Sequence, residues 1–117
     1  MELHFDCVFY YVSDLDQSVR FYRDVLGFAL RSRDIVARFD VDGVLFEIVP
    51  SDGETPIPQT GNARFCLRVE NVEEALRELS AKGVVTSPAQ TKSNGVLGSF
   101  RDPDGNELCL WEYRTGL

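Results

Sequence analysis

The sequence has little basic charge and no long apolar segment. Twelve lysine and arginine residues stand against nineteen aspartates and glutamates, which gives a net charge of −7, and no run of the chain is rich in Lys or Arg. Nucleic acids and anionic membranes are therefore disfavoured as partners, because both attract basic patches. The longest apolar stretches are only as long as a strand, so neither a secretory signal nor a membrane-spanning segment is predicted.

Histidine and cysteine are also scarce. The only histidine, His4, precedes the first predicted strand and is expected at the surface or at a sheet edge. The three cysteines lie within apolar strand patterns, and an odd number of them disfavours a disulfide framework. They predict reduced thiols and a cytoplasmic location. A nucleophilic cysteine is the least favoured interpretation, since no second histidine is present to act as its base.

What the chain does contain is one pattern that occurs twice. Each copy has an apolar strand, a turn that opens a helix, and later an Asp-Gly followed by a second apolar run. Two copies of one supersecondary unit predict a pseudo-twofold fold, with functional positions at matched places in each half. With 117 residues, 44% of them hydrophobic, the chain is predicted to be a single domain. The matched segments are 7–12 with 64–69, 13–15 with 70–72, and 42–49 with 104–111.

A helix is predicted after the first strand of each copy. Asp14 with Gln17, and Asn71 with Glu74, have the spacing of a capping box. A glycine is expected to end each helix, Gly27 in the first copy and Gly83 in the second. The apolar positions predicted to face the core are Leu15, Val19, Tyr22 and Leu26 in the first helix, and Val72, Leu76 and Leu79 in the second.

The remaining segments complete an α+β fold with the order βαβββ in each half. A tight turn is predicted at Asp42-Gly43, between two strands of the first half. The predicted modules span residues 1–50 and 63–117, and the Pro- and Gly-containing segment 51–62 is the linker between them. The predicted strands are 5–12, 28–34, 35–41, 44–50, 64–69, two strands within 84–101, and 107–113.

Several short motifs resemble the vicinal oxygen chelate superfamily, which includes glyoxalase I, bleomycin-resistance and extradiol dioxygenase proteins. The resemblance covers essentially the whole chain. It implies tandem βαβββ modules whose curled mixed sheets form a cup, usually completed by a twofold homodimer. It does not imply one reaction, because this fold hosts both enzymes and drug-binding proteins. The motifs are Val12-Ser13-Asp14-Leu15, Phe21-Tyr22, Leu26-Gly27-Phe28 and Asp102-Pro103-Asp104-Gly105-Asn106.

The resemblance also implies four positions that hold a metal ion in metal-using relatives. They fall on Cys7 and Arg64 in the first strands and on Glu47 and Cys109 in the last strands, so only Glu47 keeps the usual ligand type. Arg64 has no lone pair to donate and stays cationic, which disfavours a metal. We therefore expect no cofactor. The alternative is an atypical zinc site made of Cys7, Glu47 and Cys109.

Alternation along the strands places the candidate site residues on one sheet face, away from the helices. Arg64 and Glu47 are predicted to face each other across the cup as an ion pair. That pair either plugs a degenerate site or holds an anionic ligand, with Glu47 as acceptor or base. Phe9, Tyr11 and Trp111 are expected to form an aromatic wall, with Phe100 as a further candidate. The other proposed ligand-binding residues are Cys7, Arg68 and Cys109.

The sequence thus favours a homodimeric protein that binds a small planar or anionic molecule in a metal-free cup. The alternative function is a glyoxalase-like lyase or isomerase, or a dioxygenase-type enzyme, using Glu47 as base or the atypical metal site. A third alternative is a structural remnant, or a subunit whose partner chain supplies the missing ligands.

Overall fold

A computed structural model describes residues 1–54, 57 and 61–114 of the chain, so part of the predicted linker lies outside the described residues. The predicted α+β class and the order βαβββ in each half are confirmed. Neither helix in the described part is long and apolar enough to cross a membrane. The elements are β1 (His4–Val12), α1 (Leu15–Arg20), β2 (Ala29–Arg33), β3 (Ala37–Val41), β4 (Val44–Pro50), β5 (Arg64–Arg68), α2 (Val72–Ala81), β6 (Thr86–Lys92), β7 (Gly95–Arg101) and β8 (Glu107–Tyr113).

The chain divides into two compact units. The first unit is Cys7–Arg64, and the second unit consists of Met1–Asp6 with Phe65–Leu117. Residues 1–6 therefore group with the second half of the chain, and the described residues of the predicted linker group with the first. That the two modules make one domain stays a prediction.

In the first unit the strands are ordered β2-β3-β4-β1. β1 pairs with β4 in parallel, and β3 is antiparallel to both β2 and β4. Asp42 and Gly43 connect β3 to β4, with φ angles of 51° and 85°. Positive φ at both positions is typical of the type I′ turn, whose twist matches that of the strands it joins. The predicted hairpin is therefore present, and its two-residue turn fixes the register of β3 against β4.

Helix α1 covers one face of the first unit's sheet. Leu15, Val19 and Tyr22 pack into the core as predicted, and Val19 is fully buried. The prediction for Leu26 is wrong, because its side chain is 48% exposed. After α1 the chain continues as a π-helical turn over Phe21–Val25. A π-turn contains more residues than an α-turn, so later side chains rotate away from the apolar stripe that 3.6-residue spacing predicts.

In the second unit the strands are ordered β5-β8-β7-β6, with β5 and β8 parallel and the others antiparallel. Helix α2 packs on one face through Val72, Leu76 and Leu79, as predicted. Gly98 permits this close approach, because a Cβ atom there would lie 2.7 Å from Val72 Cγ1. Phe100 packs with this helix-facing core, so its prediction as part of the aromatic wall is wrong. Its alternation along β7 turns it toward α2.

Both helices begin at the predicted caps. The Asp14 carboxylate accepts a hydrogen bond from the Gln17 backbone N–H at 3.0 Å, and the side-chain Oδ1 atom of Asn71 accepts one from the Glu74 backbone N–H at 3.0 Å. Each bond satisfies one of the backbone donors that the first turn of a helix leaves without an intrahelical partner. Local sequence therefore determines where each helix starts.

Candidate functional site

Three predicted site residues share one face of the first unit's sheet. Tyr10 and Phe46 pack on the side of α1, so alternation turns Phe9, Tyr11 and Glu47 to the opposite side. Phe9 and Glu47 are Cα partners across the parallel β1–β4 pair. The rings of Phe9 and Tyr11 meet edge to face, with centroids 5.4 Å apart. We call this surface the far face, and it is defined by Cys7, Phe9, Tyr11, Arg38 and Glu47.

Arg64 lies against the far face through Tyr11. Its guanidinium carbon is 5.9 Å from the centre of the Tyr11 ring, which is within the range of a cation–π contact. The Arg64 Nη1 group also donates a hydrogen bond to the Gly61 carbonyl at 2.6 Å. Asn62 brings this segment beside β1, because its side chain donates to the Tyr11 carbonyl at 2.9 Å and accepts from the Tyr11 N–H at 3.4 Å. Backbone and side-chain contacts thus position Arg64 over the aromatic ring.

Glu47 has an arginine neighbour that the sequence analysis did not identify. Arg38 is its Cα partner on β3, and the Arg38 Nε atom lies 3.7 Å from Glu47 Oε2. The Glu47 side chain is 15% exposed, so this ion pair is partly shielded from water. The two-residue turn at Asp42-Gly43 could have revealed the pair, since such a turn places residue 38 opposite residue 47.

Arg38 also contacts a second carboxylate. Its Nη1 group donates to Asp34 Oδ2 at 3.2 Å. Hydrogen bonds from the Val36 backbone N–H and from Arg38 hold the pKa of Asp34 below its usual value. Arg38 therefore lies between the acidic groups of Asp34 and Glu47. The predicted ion pair of Glu47 with Arg64 stays a prediction.

The other three predicted site residues belong to the second unit. Cys109 is buried and is the Cα partner of Cys66, and Arg68 is the partner of Trp111 in the same parallel pairing. The indole of Trp111 lies over Gly95, where a Cβ atom would come within 2.5 Å of its Cζ2 atom. Arg68 is exposed, whereas Trp111 is half-buried. These side chains share the sheet face away from α2, as alternation predicts.

A divalent metal does not suit the surroundings of Glu47 and Arg64. The carboxylate of Glu47 has the Arg38 guanidinium beside it, and Arg64 is a second cation that cannot act as a ligand. Within the described residues of the first unit, no three thiol, carboxylate or imidazole groups converge on one point. The alternative zinc set of Cys7, Glu47 and Cys109 draws on both units and stays a prediction, as does the absence of a cofactor.

Comparison with known proteins places these observations in a family. A model of the Glyoxalase/Bleomycin resistance protein/Dioxygenase superfamily matches residues 4–110. The chain is 32% identical over 104 residues to glutathione transferase FosA of Serratia marcescens, which covers 85% of this chain and 73% of the transferase. It is 29% identical over 113 residues to lactoylglutathione lyase GLX1 of Arabidopsis thaliana, covering 84% of this chain but only 40% of the lyase.

Solved structures show the same fold. A hypothetical protein from Bacillus halodurans aligns with a TM-score of 0.74 at 16% identity, covering 100% of this chain and 99% of that chain. A methylmalonyl-CoA epimerase in complex with methylmalonyl-CoA aligns with a TM-score of 0.71 at 16% identity, and the alignment covers 98% of this chain and 97% of the epimerase. At this level of identity the likeness concerns the fold alone.

Proposed function

The chain belongs to the glyoxalase/bleomycin resistance protein/dioxygenase superfamily, and from this premise we propose that it binds a small planar anion on the far face without a metal ion. The observation that supports the proposal most is the Arg64 guanidinium over the Tyr11 ring. The family resemblance implies a metal ligand at position 64, and a cation there attracts the oxygens of a ligand directly.

The chemistry of the far face suits such a ligand. A guanidinium has five N–H donors, so Arg64 can hold the Gly61 carbonyl and a ligand carboxylate together. The half-buried Tyr11 offers a ring surface for a planar molecule, as is common in small-molecule sites, and the buried Phe9 supports that ring from its edge. Arg38 balances the charge of Glu47, which lowers the repulsion that a lone carboxylate would exert on an anion. A cytoplasmic location is part of the same proposal, since buried thiols suit a reducing compartment.

A nuclear magnetic resonance titration with 2-naphthoate tests this proposal. Protein treated with a chelator is expected to show saturable shifts at the amides of Phe9, Tyr11 and Glu47. Arg64→Gln removes the charge and should weaken binding by about tenfold or more. The matched control is Arg33→Gln, because Arg33 pairs with Asp16 of α1 on the other side of the sheet. Binding that is unchanged by Arg64→Gln, or no saturable shift at these amides, would refute the proposal.

An enzyme is the second candidate, and the names of the curated relatives favour it. Both are enzymes, a lyase and a transferase. In this alternative Glu47 is the base of a glyoxalase-like lyase or isomerase, or an atypical cysteine-containing metal site supports the reaction. Incubation with lactoylglutathione distinguishes the two candidates. Conversion that is lost in Glu47→Gln supports the enzyme, whereas naphthoate binding without conversion supports the binding protein.

A further inference from the structure

The first unit contains a shallow cavity, open to solvent, on the side of its sheet opposite to the far face. Its volume is about 420 Å³. We call it the aromatic cavity, and it is defined by Tyr10, Tyr22, Phe28 and Phe46 together with three valines. It lies on the helix side because Tyr10 and Phe46 alternate with Phe9 and Glu47 along β1 and β4. Ligand-binding cavities in proteins commonly begin at about 300 Å³.

The rings that line this cavity are fixed by one another. Tyr22 meets Phe46 edge to face at 5.0 Å between centroids, and Tyr10 meets Phe46 in the same way at 5.4 Å. Tyr22 also stacks on Phe28 with centroids 5.9 Å apart. Such contacts hold aromatic side chains in defined orientations. The cavity therefore has flat and ordered apolar walls.

Two phenol groups are the polar side chains of this lining. Burial, with a smaller contribution from Tyr10, raises the pKa of Tyr22, so its hydroxyl stays neutral at physiological pH. Among the described residues no hydrogen bond involves the hydroxyl of Tyr10 or Tyr22, and no buried side-chain oxygen lacks a partner. Both hydroxyls are therefore accessible to a molecule from outside. A neutral lining of this kind disfavours an ionic ligand.

The internal repeat builds the same module in the second unit without these aromatic residues. In the pattern that matches the two halves, Tyr10, Tyr22 and Phe46 correspond to Leu67, Leu79 and Leu108. The second unit builds the same βαβββ order with those leucines. Tyr22 also lies in the π-helical turn over Phe21–Val25, a distortion often found at functional sites. The aromatic lining is thus a particular property of the first unit.

We propose that the aromatic cavity binds a neutral planar molecule of one or two aromatic rings that carries a hydroxyl group. The rings of the ligand would lie among Tyr22, Phe28 and Phe46, and the phenol groups of Tyr10 and Tyr22 would hydrogen-bond its hydroxyl. This site is separate from the far face and does not depend on the function proposed there.

Titration with 2-naphthol, followed by nuclear magnetic resonance, tests this site. The amides of Val8, Val41 and Phe46 should shift saturably, and 2-naphthoate should not produce the same shifts. Tyr22→Phe keeps the ring but removes the hydroxyl, so it should weaken binding by about fivefold. Tyr113→Phe is the matched control, because that hydroxyl bonds to Asp6 in the second unit. Equal affinity in wild type and Tyr22→Phe would overturn the assignment.

A second pair of variants fills space rather than removing a hydroxyl. Val44 is 41% exposed at the rim of the cavity, so Val44→Trp should weaken naphthol binding by about tenfold or more. Ile35→Trp adds the same side chain at a 72% exposed position away from the lining and should have no effect. If Val44→Trp fails to fold, the naphthol affinity of Tyr22→Phe alone tests the proposed site. The Val41 amide is also followed at increasing protein concentration in the absence of naphthol. Chemical shift changes in that series would indicate that a second copy of the chain occupies the cavity, which would refute the proposal.

Discussion

Glu112 is a buried carboxylate that supports the start of α2. The residue is 8% exposed, and its Oε1 atom accepts a hydrogen bond from the Val72 backbone N–H at 2.9 Å. The Arg114 Nε group donates to Oε2 at 2.5 Å. Burial alone raises the pKa of Glu112, but the bonds from Val72 and Arg114 outweigh it, so the pKa lies below its usual value. The ionised form therefore stabilises the folded chain.

Replacing Glu112 with Gln should lower stability at neutral pH and flatten its dependence on acid. We expect a loss of about 1–2 kcal/mol at pH 7, because the charge-assisted bond to Arg114 is weakened. A depressed pKa stabilises the fold above the unfolded pKa, and this stabilisation is lost as the pH falls through the folded value. The difference in free energy of unfolding between the variant and the wild type should thus become smaller below about pH 4. Urea unfolding at pH 7 and pH 3.5 measures it, with exposed Glu70→Gln as control. A difference in free energy of unfolding that is larger at pH 3.5 than at pH 7 would contradict this account.

At the scale of residues, alternation predicted which sheet face the candidate residues occupy but not which partners they contact. It brought Phe9, Tyr11 and Glu47 to one face, because a strand has a strict two-residue period. Arg38 was not predicted, because alternation along one strand does not give its register against the next strand. The contact of Asn62 with the Tyr11 backbone joins residues 51 positions apart, and no local pattern signals it.

Gly95 shows how one residue fixes the packing of two strands. A Cβ atom there would lie 2.3 Å from the Glu112 carbonyl on β8 and 2.5 Å from the Trp111 indole. Because backbone atoms cannot yield easily, Gly95→Ala should cost about 1–3 kcal/mol and shift the emission of the single tryptophan. Ser87→Ala on exposed β6 should stay within about 0.5 kcal/mol. Chemical unfolding and fluorescence measure both variants, and a Gly95→Ala protein with wild-type stability and emission would refute this packing argument.

At the scale of elements, the sequence predicted the order of the strands, and the predicted strand ends lie within two residues of the observed ones. Gly27 and Gly83 have positive φ at the two helix ends, as the predicted stops require. The π-helical turn over Phe21–Val25 was not predicted, because its apolar residues fit a continuous α-helix equally well. The wrong placement of Leu26 follows from that turn.

At the scale of the whole molecule, the chain is predicted to form a twofold dimer. Phe5 and Phe65 of the second unit are 49% and 47% exposed, and their rings contact each other at 5.2 Å. Exposed aromatic pairs are typical of association surfaces, and a stable dimer buries at least about 1,200 Å². Light scattering should give twice the chain mass at micromolar concentration. Phe65→Asp should reduce the measured mass to that of the monomer. Val85→Asp, a change at another exposed position, should leave the measured mass unchanged. A monomeric wild type would contradict the prediction.

The most direct test of metal-free binding on the far face is a calorimetric titration of 2-naphthoate into chelator-treated protein, with and without one equivalent of zinc. The cations Arg38 and Arg64 take the place of a metal in this account, so the affinity should be the same in both conditions. Binding that occurs only in the presence of zinc, with one ion retained per chain, would contradict it.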